Sequence, residues 1–97
     1  MKFSDVFGAI TITAHLLGSR RLHKTIESFE TEYEDDGETP RLMVYFADET
    51  CMRMNASNAD VLRDTFGDDM KKSKGADVLI ERVGSGRYAW VSMTPIL

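Results

Sequence analysis

The chain is poor in the residues that staple, break or metallate a fold: one cysteine, two prolines and two histidines among 97 residues. A lone Cys51 cannot close an internal disulfide, so the expectation is a protein of a reducing cytoplasm rather than a disulfide-held secreted module. Scarce proline and the lack of any repeat or low-complexity tract leave no linker, so residues 1–97 read as one domain with a single core. No apolar run approaches the roughly 20 residues of a membrane span. The start, Met1-Lys2-Phe3-Ser4-Asp5, has an early acid and no apolar stretch with a cleavage site, so no signal peptide is expected.

Catalytic patterns are equally scarce. His15, His23 and Cys51 have no acid at motif spacing, and Gly84-Ser85-Gly86 lacks the further glycines and following helix of a phosphate loop. Asp64, Asp68 and Asp69 match no calcium loop, and hydrogen bonding within a loop is reason enough for them. The expectation is a protein that is not an enzyme and carries no cofactor or metal.

Charge is present but unevenly placed. The net charge of −4 argues against a general polyanion binder, because affinity for phosphates scales with Lys and Arg contacts. Residues 27–38 hold seven acids and no base, whereas 71–87 hold Lys71, Lys72, Lys74, Arg82 and Arg87 against Asp77 and Glu81.

Periodicity supplies the elements. Ser4, Phe7, Ile10, Ala14 and Leu17 have helical spacing, yet Ile10-Thr11-Ile12-Thr13 alternates and is β-branched. Residues 1–19 therefore read as a leading helical turn or two, then an extended piece ending at Gly18-Ser19. Residues 22–33 alternate, with Thr25, Glu27, Phe29, Thr31 and Tyr33 on one face, and span roughly 40 Å at about 3.3 Å per residue. Asp35-Asp36-Gly37 is a turn signal, and residues 41–47 and 50–54 follow as strands. Ser57 and Asp60 form a capping-box-like start to a helix with Ala59, Leu62 and Phe66 on one stripe, and Gly67 stops it. Asn55 and Asn58 are expected to cap the helix and fix the strand-to-helix corner through side-chain bonds to backbone. After a polar loop at 68–75, residues 76–83 and 87–94 read as a closing hairpin.

The order β-β-β-α-β-β predicts a mainly β (α+β) fold, a five-stranded barrel like the oligonucleotide/oligosaccharide-binding (OB) fold over 20–94, with residues 1–19 as an N-terminal helical or extended segment. An SH3-like or other α+β roll is the alternative.

Met54-Asn55-Ala56-Ser57-Asn58-Ala59, followed by Phe66-Gly67-Asp68-Asp69, resembles the Leu-Asn-x-Thr-Asn-Ala … Gly-Asp-Asp signature of small, mostly uncharacterised proteins of phages and prophages. The similarity covers residues 20–94. Those proteins tend to carry Trp-x-Gly-Lys before the fourth strand, where this chain has Ser73-Lys74-Gly75-Ala76. The resemblance implies a compact phage accessory protein in the host cytoplasm and supplies no reaction.

Two binding classes follow. In the first, single-stranded DNA or RNA stacks on Tyr45, Tyr88 and Trp90, with Arg41, Arg53 and Arg87 neutralising phosphates. The bland reading of the same rings is core or barrel seal. In the second, Glu30, Glu32, Glu34, Asp35, Asp36 and Glu38 meet a basic protein partner. Their bland reading is a solvated hairpin tip that blocks edge-to-edge pairing. Neither class involves a membrane.

Overall fold

The computed structural model describes residues 10–96. Among the described residues the strands are β1 (Ile10–Thr11), β2 (Arg21–Tyr33), β3 (Pro40–Phe46), β4 (Thr50–Arg53), β5 (Asp77–Val83) and β6 (Trp90–Pro95), and the helices are α1 (Ala14–Leu17) and α2 (Ala56–Phe66). These six strands form one curled, half-barrel sheet in the order β1-β4-β3-β2-β5-β6. Short 3-10 turns stand at Met70–Ser73 and Gly86–Tyr88.

The long strand β2 organises the sheet. Its first part, Arg21 to Thr25, pairs antiparallel with β5, and its second part pairs antiparallel with β3. Between them the register slips at Glu27, since Ile26 faces Phe46 while Ser28 faces Tyr45. Such a bulge bends the strand and reverses which side chains point inward. Ile26 and Phe29 consequently both reach the core, so the single alternating face expected over Thr25, Glu27, Phe29, Thr31 and Tyr33 breaks at Glu27.

The inner faces supply Ile26, Val44, Phe46, Met52, Met54, Val78, Ile80, Val91 and Met93, and Leu62 of α2 packs onto them. Met43 and Cys51 are also buried, but on the opposite face of β3 and β4. Asn55 caps α2, as expected of it, and the start expected at Ser57 does not form the cap: the Asn55 Oδ1 accepts from the Asn58 backbone N–H at 2.8 Å. The cap falls two residues earlier because the β3 pairing runs on through Met54, whose N–H donates to the Leu42 carbonyl, leaving Asn55 at the corner. Asn58 is buried and donates Nδ2–H to the Val91 carbonyl at 3.2 Å, which ties α2 to β6.

At the amino end the observed order is strand then helix. The helical start expected from Ser4 lies outside the described residues. Ile10–Thr11 pairs parallel with Thr50 and Cys51, and Thr13 caps α1. This short β1 makes six strands where the sequence predicts five. The two outer strands, β1 and β6, are not paired with each other among the described residues.

A candidate binding face outside the half-barrel

The side chains of β3 and β4 that point away from the core build a groove. Arg41, Met43 and Tyr45 alternate along β3, and Cys51 and Arg53 lie beside them on β4. With Thr11, Thr13 and Glu32 they line an open groove of about 450 Å³. Its floor is apolar because Met43 and Cys51 are buried; the Cys51 Sγ lies 3.6 Å from the Thr11 hydroxyl.

The groove walls are charge-compensated. Glu32 stands opposite Arg41 across the β2–β3 ladder, accepting from an Arg41 guanidinium nitrogen at 3.4 Å and from the Tyr45 hydroxyl at 2.7 Å. The Glu32 carboxylate holds the Tyr45 proton by that hydrogen bond, and partial burial adds to it, so the phenol is pushed up to about 12. Arg53 pairs with Glu34 at 3.1 Å. Sequence reasoning separates basic from acidic candidates, and the structure joins them: Arg41, Tyr45 and Arg53 are bound to Glu32 and Glu34.

Beyond Glu34 the β2–β3 loop is ordered by Asp36. Its carboxylate accepts from the backbone N–H groups of Glu38 and Thr39 and from the Thr39 hydroxyl. The Thr39 hydroxyl bond leads, the backbone bonds follow, and the carboxyl drops to about 2. Glu30, Asp35 and Glu38 are exposed and pair with no cation among the described residues.

The remaining candidates sit at the other end of the face. Arg87 and Tyr88 lie on the 3-10 turn between β5 and β6 and not on a strand, because Gly84 and Gly86 at positive φ (81° and 64°) fold the chain there. The Arg87 guanidinium stacks over the Tyr88 ring, 5.0 Å from its centre, and donates to its hydroxyl at 2.9 Å. Tyr88 is 77% exposed. Trp90 opens β6 opposite Val83, points outward, and is 36% exposed. Val91 and Met93, by contrast, enter the core. Trp90 and Arg53 together line a cleft with Thr11, Thr13 and Asn55, so the surface runs on from the β3–β4 groove to the β5–β6 tip.

Among the described residues, Lys71, Lys72, Lys74, Arg82 and Arg87 are exposed and hold no ion pair. Other cations are spent locally. Arg20 caps α1 by donating to the Leu16 and Leu17 carbonyls, Arg21 pairs with Glu81, and Arg63 pairs with Asp60. Lys24, mostly buried, holds Asp48 at the β3–β4 turn; burial opposes ionisation of that carboxyl, but Lys24 and the Thr50 hydroxyl keep it below the usual carboxylate range. Of the aspartates after α2, Asp69 caps the 3-10 turn by accepting from the Lys71 N–H. No group of three or more His, Cys, Asp and Glu side chains suited to a metal occurs among the described residues.

Sequence reasoning misses the groove lining by Thr11 and Thr13 and the Glu32–Arg41 facing. The second is within its reach, because a six-residue connection between Tyr33 and Pro40 aligns Glu32 with Arg41 once the turn is fixed. Comparison with protein-family models, with curated proteins and with solved structures found no match to this chain.

Proposed function

We propose that the protein is a non-enzymatic accessory binding protein of phage type, with an OB-like half-barrel that takes single-stranded nucleic acid on its β5–β6 tip. The observation that carries this reading is the outward placement of Tyr88 and Trp90 beside Arg87, a cation with no acidic partner among the described residues. Exposed rings at a loop tip cost solvation unless something covers them, and bases stack on such rings for about 1–3 kcal/mol each. The strand order supports the fold part of the reading. β2 lies between β3 and β5, β4 and β6 flank them, and α2 is inserted between β4 and β5, as an OB arrangement would have them. In that arrangement ligands lie across the second and third strands and the two loops beside them, here β3, β4 and the loops carrying Asp36 and Tyr88.

A second reading is favoured by the loop at Asp36. Its turn is preorganised by Thr39, and Glu30, Asp35 and Glu38 stand exposed without cations among the described residues, as a docking surface for a basic protein would.

Fluorescence anisotropy of labelled single-stranded DNA and RNA separates the two. The nucleic-acid reading expects saturable binding at low salt, weakened roughly 5- to 150-fold by Tyr88→Ala or Trp90→Ala in variants that remain folded. Absence of binding at low salt removes this reading and leaves the acidic loop as the contact surface.

A further inference from the structure

We propose that the outer face of β3 and β4 is a second phosphate track for the same single strand, its arginines occupied by the chain's own Glu32 and Glu34 until the strand displaces them. This rests on the nucleic-acid reading above and extends it from the tip to the groove.

The geometry carries it in four steps. Arg41 and Arg53 lie on one face of adjacent strands, and each guanidinium is engaged by one carboxylate, at 3.4 and 3.1 Å. All four side chains are partly exposed, between 36% and 55%, so pairs of this kind contribute only about 0–1 kcal/mol and exchange readily. Arg41 is under-used: Glu32 engages a terminal nitrogen while Arg41 Nε is buried without an acceptor, so the two-pronged geometry that guanidinium offers to phosphate is unsatisfied and requires that edge to be uncovered as Glu32 leaves.

The spacing of the carboxylates is the fourth step. Glu32 lies at the end of β2 and Glu34 just past its last residue, Tyr33, so their backbones stand about 6.6 Å apart at about 3.3 Å per residue. That is the scale on which successive phosphates follow one another along an extended single strand. Each carboxylate holds one arginine, Glu32 on Arg41 and Glu34 on Arg53, so one anion stands on each cation of the face. The track also leads somewhere useful, since Arg53 lines the cleft that holds Trp90.

The test is the salt dependence of oligothymidylate binding by anisotropy, comparing wild type with Glu32→Gln/Glu34→Gln and Glu30→Gln/Glu38→Gln. Both double variants remove the same charge, but only the first releases arginines. The amide carbonyl that Glu32→Gln introduces can still accept from Tyr45, which protects the fold. The paired-acid variant is expected to bind roughly tenfold tighter than the control variant, with a log–log salt slope steeper by about 1.4, or about 0.7 per added phosphate contact. Adding Arg41→Ala and Arg53→Ala should erase that gain. Equal gains in both double variants, or a gain that survives loss of the arginines, overturns the proposal. If wild type binds through Tyr88 and Trp90 and the paired-acid variant matches the control, the track fails and the tip reading stands. Tight binding by the paired-acid variant that ignores Tyr88→Ala and Trp90→Ala keeps the track and removes the tip. No binding by any variant removes both.

Discussion

Asp36 shows how one carboxylate fixes a loop without burial. It is fully exposed, yet the Thr39 hydroxyl and the N–H groups of Thr39 and Glu38 lower its carboxyl from 3.8 to about 2. A depressed folded pKa adds stability above the unfolded value near 3.8, and that contribution is lost as pH falls through about 2. Thr39→Ala should therefore bring Asp36 back toward 3.8 in a carboxyl NMR titration; an unchanged value would mean the Thr39 hydroxyl is not the cause. Tyr45 runs the other way, protonated more firmly than a free phenol because it donates to Glu32. In Glu32→Gln the phenol should titrate closer to 10 by ultraviolet absorbance, since the carboxylate that held its proton is gone.

Two elements determine whether the face exists at all: the bulged β2 and the helix α2. Deleting Glu27 would remove the slip that lets Ile26 and Phe29 both point inward, turning one half of β2 inside out. We expect that deletion to abolish cooperative unfolding by denaturant; a sharp transition of wild-type midpoint would contradict the register argument. On α2, Asn55→Ala removes the cap at a cost of about 1 kcal/mol. Asn58→Ala strips a partner from the buried Val91 carbonyl, at about 1–3 kcal/mol, both by urea titration.

The same elements mark what is legible in the sequence. The strands at 40–46 and 77–83, the helix and its stop at Gly67 are readable because apolar spacing and turn residues agree there. The bulge is not, although Ile26 and Phe29 three apart in a β-branched stretch are its trace. Periodicity assumes one unbroken register. The N-terminal segment is legible in part: the β-branched Ile10 to Thr13 reads as extended and β1 forms there, but the helix Ala14–Leu17 falls in a stretch expected to stay extended, and β1 itself exists only through pairing with residues forty positions away. Alternation places Tyr88 on a strand with Trp90 because it is indifferent to the two flanking glycines that turn the chain. The site residues are legible as types, but their pairing across β2, β3 and β4 is tertiary and leaves no local signal.

At the scale of the whole molecule the net charge of −4 hides a separation. The acidic segment leading from β2 toward β3 neutralises Arg41 and Arg53, while Arg87 at the opposite tip, and Lys71, Lys72, Lys74 and Arg82, stay unpaired among the described residues. On the proposed nucleic-acid reading, a strand of phosphates would be repelled by the acidic loop and accepted at the β5–β6 tip. Replacing Glu30, Asp35 and Glu38 by amides should tighten single-strand binding at low salt and make no difference at high salt, where the repulsion is screened.

Trp90 is the only tryptophan of the chain, so its fluorescence reports on the proposed stacking surface alone. Titrating the protein with unlabelled single-stranded DNA at low salt is the most direct measurement. The account predicts saturable quenching of Trp90 emission, reversed by added salt and weakened in Arg87→Ala. Emission that stays constant while the oligonucleotide is present in large excess would contradict it.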